Sequence, residues 1–384
     1  MNMQAAKNNK QAQLKRTSIL RIPAIQTILA SLLCVLAGLL IGFIILLIIN
    51  PNGAFDALKT IISNFMSFKK ASKQISNFGN TLVKTVPLLM CSLSVLFSYK
   101  VGLFNIGAAG QYVAGAGVGL FFAQALNAPW WICMIMATLA GAALGALSGL
   151  LKATRNVNEV ISGIMLNWII LYLVNMLLSP YMDITMNETY SLKQYHPASV
   201  IPESPLIGGL LNNHKYVTIA VIIAIIITVG IWILLTKTKL GYELRATGLN
   251  KNAARYCGMH DRTNIILTMA ISGGLAGIGA SMFYLTDIIK WPMAVTSVPA
   301  MGFNGIAAAF LGGLHPLGAI LSSFFIQHIT DGGSFMEKIY PSEIAGFISA
   351  VIIYMCAFVL LLKQLMNKMA GRRKTGREKG GEAK

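Results

Sequence analysis

TKTKLGYELRATGLNKNAARYCGMHDR, residues 236–262, holds six Lys/Arg against two acids and lies between two long apolar runs, 217–235 and 265–285. A helix needs about 20 apolar residues to cross roughly 30 Å of hydrocarbon. The stretch therefore reads as a short loop tethered at both ends by membrane spans. Within it, Asn250 is placed to N-cap a short helix at 251–257, and Gly258 falls where a left-handed residue ends one. A small capped helix mounted on two spans is suited to being pushed or pulled from outside the chain.

The rest of the chain has the same character. Of its 384 residues, 55% are hydrophobic and 11% charged, more apolar surface than a soluble domain can bury. Ten spans are predicted, at about 27–49, 81–98, 102–124, 132–151, 160–178, 216–235, 264–285, 299–311, 317–329 and 344–362. The eighth is short enough to be re-entrant. A β-barrel would show short alternating segments instead. The expected fold is an all-α polytopic membrane protein of about ten transmembrane helices. Its membrane domain, 27–362, lies between basic tails at 1–26 and 363–384. The first run is too long for a signal peptide and lacks a small-x-small exit, so it reads as a retained span. Residues 50–80, mixed and polar, suggest an interfacial helix on the outer face.

The net charge of +18 would point a soluble protein toward nucleic acid. Here topology explains it, and no nucleic-acid partner is expected. With the N-terminus inside, the inner segments carry 22 of the 31 Lys/Arg, the bias that cytoplasmic loops show. Both termini are then cytoplasmic. Cys34, Cys91, Cys133, Cys257 and Cys356 have no metal or disulfide spacing, and the five histidines are scattered. No metal or cofactor is expected.

Residues 102–110, GLFNIGAAG, resemble residues 302–310, GFNGIAAAF. Each sets Phe-Asn and small residues at the mouth of an apolar span, from opposite sides of the membrane. Spans two to five and seven to ten then form an inverted repeat with interrupted helices, an arrangement that marks transport pathways. Asn105, Gln111, Asn167 and Asn304 lie within spans and are the expected pathway-lining residues. The glycines of the fourth span read as close helix packing. Glu159, Asp287 and Lys84 sit at span boundaries, with no charged residue placed well inside. That argues against an ion-coupled carrier, and no filter signature suggests a channel. The chain has no G-x-x-x-x-G-K-[ST], nucleophile elbow or H-E-x-x-H. It is therefore not read as an enzyme, and any ATP hydrolysis belongs to another chain.

Residues 238–259, TKLGYELRATGLNKNAARYCGM, resemble the cytoplasmic loop of permease subunits in bacterial ABC importers of the ribose, branched-chain amino acid and nucleoside class. The resemblance carries the pattern G…RA.G.N..AA...G onto Gly241, Arg245, Ala246, Gly248, Asn250, Ala253, Ala254 and Gly258, and implies that these contact an ATPase. Residues 100–117, KVGLFNIGAAGQYVAGAG, and 156–167, NVNEVISGIMLN, are similar to the simple-sugar or nucleoside subgroup. Ribose-type permeases carry an acidic G-x-D motif where this chain has Phe104-Asn105-Ile106-Gly107, which favours nucleosides. The resemblance spans about residues 80–360. It implies a bacterial plasma-membrane permease working with a cytosolic ABC ATPase, a second permease subunit and an extracellular substrate-binding lipoprotein. An importer of simple sugars, branched-chain amino acids or riboflavin is the alternative, and an ion-coupled carrier a further one. An uncharged polar lining suits a neutral nucleoside, whose hydroxyls and base edges need donors and acceptors but no counter-ion.

Overall fold

Hydrocarbon offers no partner to a backbone amide, so a chain this apolar must close its backbone hydrogen bonds within helices. The computed structural model describes residues 23–211, 214–338, 340–366 and 368, and they are almost wholly helical. The principal helices are α1 (Pro23–Ile49), α2 (Ala54–Ser63), α3 (Ala71–Lys100), α4 (Ala108–Leu126), α5 (Trp130–Arg155), α6 (Glu159–Leu178) and α7 (Ala220–Lys237). They continue with α8 (Lys239–Leu249), α9 (Lys251–Tyr256), α10 (Asp261–Tyr284), α11 (Met301–Leu311), α12 (Pro316–Ser334) and α13 (Ser342–Cys356). Of the expected basic tails, 1–22 and nearly all of 367–384 lie outside the described residues.

Each expected span falls on a helix, and among the described residues seven helical stretches are long and apolar enough to cross a membrane. α11 is not one of them. Its 11 residues reach about 16 Å at 1.5 Å per residue, half the hydrocarbon thickness. It is a half-helix, as its shortness suggested.

α3 and α10 form the buried centre. α5 lies along α10 with backbone against backbone. A Cβ on Gly145 would sit 2.1 Å from the Met269 carbonyl oxygen, and one on Gly273 would sit 2.2 Å from that of Gly141. The Gly-rich fourth span is thus a packing surface, as expected. The pairing is the one a repeat requires: α4 packs on α10 as α11 packs on α3, and α5 packs on α10 as α12 packs on α3. A Cβ on Gly302 would lie 2.4 Å from the Ala109 Cα, so the two matched Phe-Asn segments lead into helices that touch.

Three expectations change. The third span was placed from residue 102, but its helix starts at Ala108, after a non-helical segment in which Gly102 takes φ +77°. The second span extends back to Ala71, leaving α2 as the amphipathic helix, with Ala54, Ala57 and Ile61 buried. The ninth continues to Ser334 and carries Asp331 inward. The Asp331 carboxylate accepts hydrogen bonds from Lys84 Nζ at 2.9 Å, Thr81 Oγ1 at 2.8 Å and Gln327 Nε2 at 3.0 Å. A paired acid thus does lie between the helices, contrary to the sequence reading.

At the end of the bundle away from residues 236–262, a two-strand hairpin (β1 Met182–Asp183, β2 Glu188–Thr189) and the segment after α10 lock together. Trp291 is buried there and donates its Nε1–H to Asn175 Oδ1 at 3.1 Å. Asp287 accepts from Ser191 Oγ and from the Leu192 and Lys193 amides. At the other end, Lys363 Nζ donates to Thr27 Oγ1 at 2.7 Å, so the start of α1 meets the stretch following α13.

Candidate functional site: a coupling loop seated on a broken helix

The loop after α7 folds as two short helices. Thr238 caps α8, its Oγ1 accepting from the Gly241 amide at 3.1 Å. Asn250 caps α9, its Oδ1 accepting from the Ala253 amide at 3.0 Å, and Gly258 takes φ +81° after the helix. These two local signals act as the sequence indicated. α8 was not anticipated. Only Thr238 separates it from the end of α7, and its polar sequence shows no apolar stripe.

Arg255 holds α9 to the start of α10. Its Nε and Nη2 each donate to an Asp261 carboxylate oxygen at 3.2 Å, and Lys251 Nζ approaches at 3.4 Å. Asn264 Nδ2 donates to Thr247 Oγ1 at 2.8 Å, tying α8 to α10. The loop is therefore a small rigid body rather than a flexible connection.

Its candidate residues divide by direction. Gly241 and Ala254 are buried against the chain's own helices, and Arg245 Nε donates to the Gly241 carbonyl at 3.3 Å. Gly248 abuts the break before α4: a Cβ there would lie 2.1 Å from the Val101 carbonyl oxygen and 2.9 Å from the Gly102 amide nitrogen. The family resemblance implies an ATPase contact for Gly248, and in this structure the space at its Cβ position is taken by its own chain. Ala253 and Gly258 face outward. Beside them, Tyr256 is 93% exposed and Leu249 88% exposed, and Tyr242 on α8 is exposed as well, large apolar groups of the kind that contact surfaces use. Sequence reasoning passed over them, although a Tyr and a Leu in so basic a stretch were the available signal.

Directly above Gly102 lies the second group. Asn105 Nδ2 donates to Gln111 Oε1 and to Ser272 Oγ, each at 2.7 Å, and lies 3.2 Å from Ser94 Oγ. Gln111 Nε2 returns a bond to Asn105 Oδ1 at 3.2 Å. Asn167 Oδ1 accepts from the Gly110 amide at 2.8 Å, and its Nδ2 donates to the Ile106 carbonyl at 3.2 Å. All three amide side chains are buried. They satisfy the backbone and each other around the break, where an unpaired group would cost about 1–3 kcal/mol. The structure brings Asn105, Gln111 and Asn167 together, and in this arrangement they bond internally. Asn304 stands apart from them, half-buried on α11.

The family described as branched-chain amino acid transport system / permease component matches residues 77–357. The chain is 30% identical over 350 residues to the guanosine ABC transporter permease protein NupP of Bacillus subtilis, covering 89% of this chain and 96% of that protein. It is 31% identical over 356 residues to the nucleoside ABC transporter permease protein NupB of Lactococcus lactis subsp. cremoris, covering 89% and 93%. It is 29% identical over 332 residues to the glucose ABC transporter permease protein TsgB13 of Haloferax volcanii, covering 84% of each.

Proposed function

From a chain that belongs to the branched-chain amino acid transport system permease family, we propose an importer subunit whose solute is a nucleoside. As a member of that family of ABC-transporter permeases it is a multi-pass protein of the bacterial plasma membrane, it is not itself an enzyme, and it works with an ATPase and a solute-binding partner. The observation that carries the nucleoside reading is the likeness, over nearly full length, to two relatives named for guanosine and nucleoside transport. The uncharged lining agrees with it, since Asn105, Gln111, Asn167 and Asn304 offer donors and acceptors without a counter-ion. The glucose-permease relative favours a simple sugar as the second reading.

The transmembrane domain is placed at 27–362, its inner end carrying the coupling loop. The cytosolic ATPase grips the outward side of α8 and α9 around Leu249, Ala253, Tyr256 and Gly258. Its movement reaches the pore through Gly248, which rests on Val101 and Gly102, three residues before Asn105. Displacing that segment breaks the Asn105–Gln111–Ser272 bonds and frees these amides for the solute. A second permease, a homologue of this chain, completes the pathway, and an extracellular lipoprotein delivers the solute.

Uptake by proteoliposomes containing the whole complex tests this reading. Labelled guanosine, glucose and leucine are compared with ATP inside. ATP-dependent uptake of guanosine alone is expected. Uptake of glucose or leucine in its place overturns the nucleoside assignment, and uptake without ATP overturns the coupling.

A further inference from the structure

A cavity of about 620 Å³ opens at the end of the bundle that carries the coupling loop, between the start of α1, the α11–α12 turn and α12. Its walls are apolar. Ile28 and Leu32 of α1 and Leu321 of α12 line it and are each more than half exposed. A wall of exposed aliphatic groups at a membrane helix faces acyl chains.

The mouth is different. Lys363 and His315 line it. His315 Nδ1 accepts from the Leu317 amide at 3.3 Å, which leaves the proton of the neutral ring on Nε2 as a donor. Lys100 lies close enough for its charge to act on both His315 and Lys363, and Arg245 lies close to Lys100. None of Lys100, Arg245 and Lys363 forms an ion pair among the described residues. Three cations gathered without an acid repel one another, and a nearby anion removes that repulsion. The flanking sequence is itself basic: residues 1–26 hold five Lys/Arg and no acid, and 363–384 hold eight against two.

We propose that this cavity binds an anionic phospholipid of the cytoplasmic leaflet, with acyl chain along Ile28, Leu32 and Leu321 and phosphate held by Lys363 and His315. Apolar walls with a cationic rim match the two halves of such a lipid, and neither a free anion nor a neutral lipid matches both. The coupling loop shares this cationic rim through Arg245. The bound lipid therefore neutralises the charge beside which α8 must move. The site is independent of which solute is carried.

Native mass spectrometry of the full-length chain, co-purified with its ATPase and delipidated, tests the proposal. Dioleoyl phosphatidylglycerol, dioleoyl phosphatidylcholine, diacylglycerol and inorganic phosphate are added separately. One retained phosphatidylglycerol is expected, with phosphatidylcholine held at least about fivefold more weakly and diacylglycerol not retained. Millimolar phosphate should leave the phosphatidylglycerol in place. K363Q should weaken the lipid roughly fivefold, and L321W, which fills the groove, should weaken it further. K290Q at the outer end should change nothing. Equal retention of phosphatidylglycerol and phosphatidylcholine by the unaltered protein overturns the charge argument without any variant. Displacement by inorganic phosphate would make this a simple anion site. K363Q that loosens the ATPase but holds the lipid unchanged would assign these cations to a protein contact.

Discussion

Substituting Gly248 by alanine tests the mechanical link directly. The added Cβ would lie 2.1 Å from the Val101 carbonyl oxygen and 2.3 Å from its carbonyl carbon. Cβ atoms essentially never sit closer than 3.0 Å to such atoms, so loop and break must separate by about 0.9 Å. Both partners are backbone, and no side chain can swing aside. Overpacking of this kind costs about 1–3 kcal/mol, and lost from the coupling between two sites it corresponds to a factor of about 5–150. G248A is therefore expected to insert and to bind its ATPase, because Leu249 and Tyr256 still point outward. Transported solute per ATP should fall by that factor. G230A is the matched control, because nothing lies within 4 Å of a Cβ on Gly230 in α7. The assay measures ATP hydrolysis and solute uptake together in proteoliposomes. A G248A complex with wild-type stoichiometry refutes the link through Val101, and one that loses its ATPase on purification places Gly248 in the partner contact instead.

Asp331→Asn removes the charge that Lys84 pairs with. Lys84 reaches water, so the expected loss is moderate, about 1–3 kcal/mol, read as a lower Tm in detergent; an unchanged Tm would show that the bond contributes nothing. Asn167→Ala leaves the Gly110 amide and the Ile106 carbonyl without their partner, at about 1–3 kcal/mol each. Faster hydrogen exchange confined to residues 102–112 is the expected signature, and exchange unchanged there would mean that Asn167 does not hold the break. Burial, and then the charge of Lys100, lower the pKa of His315 from its ordinary 6.5, and Lys363 faces the same cavity. Its folded value lies below its unfolded one, so its contribution is present above pH ~6.5 and lost as pH falls through the folded value. Tm in phosphatidylcholine should fall on acidification below that point, and the fall should be smaller in H315N; identical acid responses would exclude His315.

What the sequence showed and what it hid divide by range. The cap at Asn250 and the left-handed Gly258 were readable because each acts within a few residues. The helices themselves were readable because hydropathy over about 20 residues carries the signal. Asp331 was misplaced because Asp-Gly-Gly-Ser at 331–334 ends the apolar run, while the Lys84 that stabilises it lies 247 positions away. The start of α4 was misplaced for a related reason. Residues 102–107 are apolar enough for a span, but Asn105 and Gly102 hold them in another shape, and the partners that make that shape stable, Ser272 and Gly248, come from distant stretches. For Gly248 the sequence showed that a small residue was present and could not show what filled the space.

The placement of the amides also bears on how the pathway opens. Asn105, Gln111 and Asn167 use their hydrogen-bonding groups on one another, on Ser94 and Ser272, and on the broken backbone. Pulling residues 101–107 away would strand several of these groups at once, and each stranded group costs about 1–3 kcal/mol unless water or a solute replaces the lost partner. A partly opened break is thus less favourable than either end state, which makes the segment two-state rather than continuously deformable. Opening and hydration become one event. Because Gly248 bears on Gly102 by backbone contact, and Arg255, Asp261, Asn264 and Thr247 hold the loop rigid, a movement applied at Tyr256 cannot be absorbed before it reaches that switch. In the proposed mechanism the amides that lock this closed arrangement become ligands of the solute once the break opens, a double use that suits side chains able both to donate and to accept.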